Sequence, residues 1–203
     1  MKTFVGIDVG GPRKGFHAVA LRRRQFDAAA FTELRELLKW IAYQKPAAIA
    51  IDAPCHWSIE GGSRECERTL RVADERISCF STPTKKRAAG RPFYDWVRHG
   101  LRLYKALEAH YPIYKGGKPS APLLCETFPQ AVACMLAGRK VSARHKSRVR
   151  RQVLRDAGYE PVGLRNIDEV DAALCAITAA ALVSGRFATF GRNEDGYIIT
   201  PLA

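Results

Sequence analysis

The chain has six cysteines but no C-x-x-C pair, which excludes a zinc finger and a redox dithiol. Cys55, Cys66, Cys79, Cys125, Cys134 and Cys175 are scattered, most of them in apolar surroundings where a reduced thiol packs as a small hydrophobe. That usage fits a reducing, cytoplasmic setting. No apolar run approaches the roughly 20 residues that a bilayer-spanning helix needs. The longest, Ala172 to Val183, stops short, and Asp8 interrupts any apolar leader, so the reading is a soluble protein with no membrane partner. There is no G-x-x-x-x-G-K-[ST] loop for a P-loop nucleotide site, and no repeat or low-complexity tract. Acidic charge is in the minority: 20 Asp and Glu stand against 33 Lys and Arg, a net +13 over 203 residues. Such a surface favours polyanions, nucleic acid foremost.

What acidic charge there is falls in telling places. Thr-Phe-Val-Gly-Ile-Asp8 and Ala-Ala-Ile-Ala-Ile-Asp52 both read as buried strands that close on an aspartate. An unpaired carboxylate at a buried strand end is costly, and two side by side are costlier; a divalent cation is the usual reason to tolerate them. Gly15 to Leu21 and Gln25 to Phe31 complete an antiparallel meander with the first strand. Thr32 reads as the N-cap of a helix carrying Leu34, Leu37, Leu38 and Ile41, which Pro46 stops. Arg64 to Ile77 reads as a charged helix and Ser81 to Pro92 as a basic loop. Phe93 to Tyr111 reads as a long helix whose aromatic stripe belongs to the core, not to a base-stacking platform. Leu123 to Glu126 is a further strand, followed by a Thr127/Gln130 capping box. The chain closes with a basic helix (Arg144 to Ala157), a helix from Asn166 to Gly185, and a hairpin. The organisation expected is one α/β domain over 1–203, with a helical and loop elaboration at about 56–120.

Asp8, Asp52 and Glu126 each end a strand, while Asp168 and Asp171 share one helix face. If that face covers the strand ends, these carboxylates suit Mg²⁺ or Mn²⁺ and two-metal phosphodiester hydrolysis, with the basic surface holding the polyanion. Plainer readings stand beside this one. Asp8 and Asp52 are also good turn residues, and Glu126 and Asp168 also suit the start of a helix. Asp171 is harder to dismiss, since an apolar stretch follows it. Arg144, Arg148, Arg151 and Arg155 form one arginine face, which is either solvated or in contact with phosphate. Arg64 and Arg68 are weaker candidates for the same contact. Cys55-His56 follows Asp52 closely; the thiol reads as packing, and His56 as a proton relay beside the metal.

Gly-Ile-Asp8-Val-Gly, Ile-Asp52-Ala-Pro, Glu126-Thr-Phe-Pro and Asp168-Glu-Val-Asp171-Ala-Ala-Leu together resemble a ribonuclease-H-like group of nucleases, domain of unknown function family 429. The Asp168-x-x-Asp171 helix also resembles the last helix of RuvC-type Holliday-junction resolvases. The resemblance implies a ribonuclease-H-like mixed five-stranded sheet with flanking helices and a helical insertion after strand four. Strand one would lie beside the parallel fourth strand, so that Asp8 meets Asp52 with Glu126 on the next strand. It makes Asp8, Asp52, Glu126 and Asp171 the catalytic metal ligands with Asp168 in reserve. In the resolvases the strand-four ligand is a glutamate, one methylene longer than Asp52. Lys146 resembles a basic position before the arginine helix that approaches the scissile phosphate. The function implied is a metal-dependent nuclease acting on DNA or RNA, with the oligomeric state, a homodimer included, left open. The alternatives are a non-catalytic nucleic-acid-binding protein of the same fold and a small-nucleotide phosphohydrolase.

Overall fold

The computed structural model describes residues 2–202. Three antiparallel strands open the chain: β1 (Phe4–Val9), β2 (Phe16–Arg22) and β3 (Gln25–Phe31). Helix α1 (Leu34–Gln44) ends where Lys45 turns left-handed before Pro46, which cannot continue a helix. Strand β4 (Ala48–Asp52) then returns parallel to β1. The elaboration follows: α2 (Glu65–Thr69), a two-stranded ribbon of β5 (Arg71–Val72) and β6 (Glu75–Arg76), α3 (Lys85–Ala88), a 3₁₀ turn at Pro92–Tyr94, and α4 (Asp95–Leu107). The rest is β7 (Leu123–Thr127), α5 (Pro129–Leu136), α6 (Lys146–Asp156), α7 (Ile167–Ser184) and the hairpin β8 (Phe187–Arg192) and β9 (Gly196–Pro201).

This is a mixed α/β fold. The central sheet has the order β3-β2-β1-β4-β7-β9-β8, seven strands and not the expected five. The difference is the terminal hairpin, whose β9 carries buried Ile198 and Ile199 and docks parallel on the free edge of β7. The core order around β1, with antiparallel β2 on one side and parallel β4 on the other, is the expected one. Among the described residues no helix is long and apolar enough to cross a membrane.

Several local expectations fail: the N-cap of α1 is Glu33 and not Thr32, and the segment expected as a basic loop holds α3. Residues 64–77 are not one helix: α2 stops at Thr69, and Ala73 in left-handed conformation turns the ribbon, burying alternate Val72 and leaving Arg71, Glu75 and Arg76 outside. The Thr127/Gln130 box does not form. Thr127 Oγ1 donates to the Ile199 carbonyl at 2.7 Å, and Gln130 Nε2 donates to the Val141 carbonyl at 2.8 Å. The aromatic stripe is only partly core: Val97, Leu103, Tyr104 and Leu107 are buried, whereas Phe93 is 68% exposed.

Strand pleat assigns the two faces of the sheet. Ile7, Ile49, Ile51 and Leu124 lie under α1 and α4. Ala48, Ala50 and Cys125 lie on the other face, under α7. Gly6 belongs to the α7 face, and a Cβ there would sit 2.0 Å from the Ala172 carbonyl oxygen. The helix backbone therefore rests directly on β1, and only glycine permits it.

Candidate acidic centre

Asp8 and Asp52 are register partners at the carboxyl ends of β1 and β4. By pleat both point to the α7 side, two residues beyond Gly6 and Ala50. The first turns of α7 bring Asp168 and buried Asp171 over them. That end of α7 is held firmly: Asn166 Oδ1 accepts from the Glu169 N–H at 2.9 Å, and the buried Glu169 carboxylate accepts from the Arg165 backbone N–H.

Among the described residues three cations enter the cluster, and their direct ion pairs are with Asp168 and Asp171. Lys14 and Arg150 act on Asp8 and Asp52 only through their charge. Lys14 Nζ is 2.6 Å from Asp168 Oδ1. Buried Arg150 donates to Asp171 and, at 3.1 Å, to Gln130 Oε1, while Lys146 Nζ lies 3.6 Å from Asp171 Oδ2. The Asp8 and Asp52 carboxyls instead stand beside each other as β1–β4 register partners. Burial, then the charges of Asp171 and Asp168, push the Asp8 carboxyl up to about 7. Burial and the Asp8 charge push Asp52 well above the usual carboxylate range. Asp171 is raised by burial, with Arg150 and Lys146 opposing the rise.

A second grouping surrounds Asp8. His17 is its antiparallel partner on β2, and Asp8, His17 and Asp168 offer ligand atoms all within 4.8 Å of one another. The buried His17 Nδ1 has no hydrogen-bond partner. Oxygen donors in excess, two carboxyls side by side at strand ends and an imidazole nitrogen without a partner have the donor chemistry of a divalent-cation site.

Glu126 is elsewhere. It pairs in register with Ile51, not Asp52, and so projects to the opposite face. Thr127, the next residue, is the one facing α7, 3.2 Å from Thr178 Oγ1. Both Glu126 oxygens are engaged, by Arg64 at 2.5 and 2.7 Å and by the Cys55 N–H at 2.8 Å. Arg64, expected at the surface, is 1% exposed and also grips Glu67 at 2.8 Å. Arg68 is exposed and donates to the Ser63 carbonyl at 2.7 Å. His56 falls on the same side as this ion pair, with burial lowering its proton affinity and Glu126 and Arg64 as its foremost charged neighbours. The buried Cys55 thiol is pushed well up by desolvation, which suits packing.

The arginine face is largely as the spacing suggests. Arg144, Arg148 and Arg155 are exposed, and Arg151 is half-buried, donating to the Leu164 carbonyl at 2.7 Å. His145, Lys146, Arg148, Arg151 and Arg155 line an open groove of about 750 Å³. Lys146 belongs to the groove and to the acidic cluster at once. Sequence reading missed Arg150, Lys14 and His17. Arg150 had a signal: it lies three and four residues before buried Val153 and Leu154, so an arginine on that face required a buried partner.

The family model described as "Protein of unknown function (DUF429)" matches residues 6–195. No curated protein matches the chain. A solved structure, Thermus thermophilus RuvC, is 17% identical, covering 88% of this chain and 93% of that chain with a TM-score of 0.44, a likeness that carries no functional argument.

Proposed function

This chain belongs to the DUF429 family, and we propose that it is a divalent-metal-dependent nuclease hydrolysing phosphodiester bonds of nucleic acid. Asp8, Asp52 and Asp171 would hold Mg²⁺ or Mn²⁺, with Asp168 and His17 in reach and Glu126 left out. When bound, the metal neutralises charge on the phosphodiester and lowers the pKa of a water. The protein's own groups do the rest. Arg148 and Arg155 bind backbone phosphates along the groove, and Arg144 extends it. Arg150 and Gln130 fix the orientation of Asp171. Lys146 meets the phosphate nearest the carboxylates.

The observation that carries this reading is the placement of Lys146, lining the basic groove while lying 3.6 Å from Asp171. A bound polyanion would thus lead into the acidic cluster. A second reading, nucleic-acid binding without chemistry, is favoured by Arg150, which already neutralises Asp171. One panel separates them: labelled single-stranded, duplex, hybrid and branched nucleic acid and a nucleoside triphosphate, each with Mg²⁺, Mn²⁺ or EDTA. A nuclease cleaves one of the polymers with metal only and loses turnover in Asp8→Asn and Asp52→Asn while still binding. A binding protein cleaves nothing and tolerates both substitutions. Hydrolysis of the triphosphate alone points to a phosphohydrolase.

A further inference from the structure

The elaboration after β4 carries an aromatic cluster that the acidic centre does not use. Phe80 lies edge-on to Trp96 at 4.9 Å and 6.1 Å from Phe93; Phe93 lies edge-on to Tyr94 at 5.1 Å; and Tyr94 reaches Trp57 at 6.3 Å. Edge-to-face packing holds the rings in defined orientations, yet Phe93 stays 68% exposed and the other four are only half-buried. An exposed aromatic patch of this kind has a hydration cost that a binding role explains.

Two further features define the occupant. Lys85, Lys86, Arg87 and Arg91, on the segment that leads into Phe93, are all exposed. Trp57, Lys85 and Arg91 line one open cavity of about 500 Å³, whose acidic residue, Asp95, is already paired with Arg98 at 2.6 Å. Rings beside cations that no carboxylate pairs among the described residues match a ligand that carries both flat bases and phosphates. The patch is also fastened to the acidic centre. Tyr104 Oη on α4 donates to the Ala53 carbonyl at 3.0 Å, and His99 Nδ1 lies 2.9 Å from the Gly10 carbonyl. These are the residue next to Asp52 and the second residue after Asp8. Gly100 makes the first contact feasible, since a Cβ there would meet the Ala53 Cβ at 2.5 Å. Phe80 and Trp96 line a cavity of about 50 Å³ with Arg64 and Glu126, the ion pair under the Asp52 strand end. Since α4 covers the face opposite α7 and α6, the aromatic patch and the arginine groove flank the carboxyl edge of the sheet from its two sides.

We propose that Phe93 and its ring neighbours, with Lys85 and Arg91, form a stacking platform for unpaired nucleotides. The substrate class is then nucleic acid with a single-stranded or splayed stretch beside the phosphodiester at the acidic centre. Its position beside a cleavage site rests on the nuclease reading; the platform itself does not. A duplex keeps its base faces stacked on one another and offers the rings little, whereas a single strand offers every base.

The test measures binding in EDTA, where cleavage plays no part, by fluorescence anisotropy with a thymidine 20-mer, a uridine 20-mer and a duplex of equal length. Phe93→Ala is expected to weaken single-strand binding about tenfold and to leave duplex binding within about twofold. Phe93→Trp is expected to retain or tighten it. Arg148→Ala on α6 is expected to weaken both ligand types together. Tyr43→Ala, removing an aromatic 81% exposed on α1, is expected to change neither. DNA and RNA arms that respond alike identify base stacking; a response in one alone identifies the sugar being read as well. The proposal is overturned if Phe93→Ala binds single strands like the wild type, loses both ligand types equally, or is not rescued by tryptophan. If single-strand selectivity follows Phe93 but no metal-dependent cleavage exists, the nuclease reading fails and the platform stands.

Discussion

Glu126 stands beside Ile51 in the β4–β7 ladder, so its carboxylate and that of Asp52 leave the sheet on opposite faces. Its oxygens belong to Arg64, itself 1% exposed and shared with Glu67. Removing one partner of such a pair leaves a buried charge without compensation, which costs about 3–5 kcal/mol. Glu126→Ala and Arg64→Ala are therefore expected to be strongly destabilising in urea denaturation. The part of either variant that stays folded is expected to bind Mn²⁺ within about threefold of the wild type, a test of whether Glu126 is a ligand.

The Asp8 carboxyl sets a pH dependence whose sign is fixed by its environment. Its proton is held up to about 7 when folded, against an ordinary value of 3.8. The folded state binds more protons than the unfolded one across that window, so metal-free stability is highest at low pH and falls as pH rises towards 7. Alone the group accounts for at most about 4 kcal/mol, and Asp52 acts in the same direction. Thermal melts in EDTA are expected to show a lower midpoint at pH 8 than at pH 5, with Asp8→Asn flattening the difference and raising the midpoint at pH 8. Equal slopes in wild type and variant contradict the assignment.

Gly6 sets the height of α7 above β1. A methyl group there meets helix backbone at 2.0 Å from Ala172 O and 2.2 Å from Ala176 N, atoms that cannot swing aside. Gly6→Ala is expected to cost at least about 1–3 kcal/mol. Because the helix that moves carries Asp168 and Asp171, Mn²⁺ affinity should fall with it. A variant that loses stability while keeping wild-type affinity would show that Asp171 is not needed at the metal.

Salt dependence separates the cations. Each of Arg148→Ala and Arg155→Ala is expected to reduce the slope of log K against log salt by about one phosphate contact. Arg151 already donates to two backbone carbonyls, those of Leu164 and Pro161, and its substitution should change the slope less.

Much of this arrangement was legible in the residues. Apolar runs ending at Asp8 and Asp52 located both strands, and Asn166 with Glu169 located the start of α7. Glu126 was misplaced because β7 is buried on both faces, so Leu-Leu-Cys-Glu-Thr shows no alternation from which its pleat can be read. Arg64 looked like surface because its partners are far off in sequence or lie across a turn. The β5–β6 ribbon was read as helix because a charged segment of that length carries no clear period. Phe93 was assigned to the core because helical spacing continued through it, whereas Pro92 begins a 3₁₀ turn that swings it outward.

Asp8 and Asp52, register partners whose proton affinities are both raised, are the heart of the proposed metal site. Titration of Mn²⁺ into the protein at pH 7 by calorimetry, in buffers of different ionisation enthalpy, measures both affinity and proton release. Binding is expected with net proton release, and loss of both in the Asp8→Asn/Asp52→Asn double variant. A folded wild-type protein that binds no Mn²⁺, or binding that survives the double substitution unchanged, would contradict the proposed site.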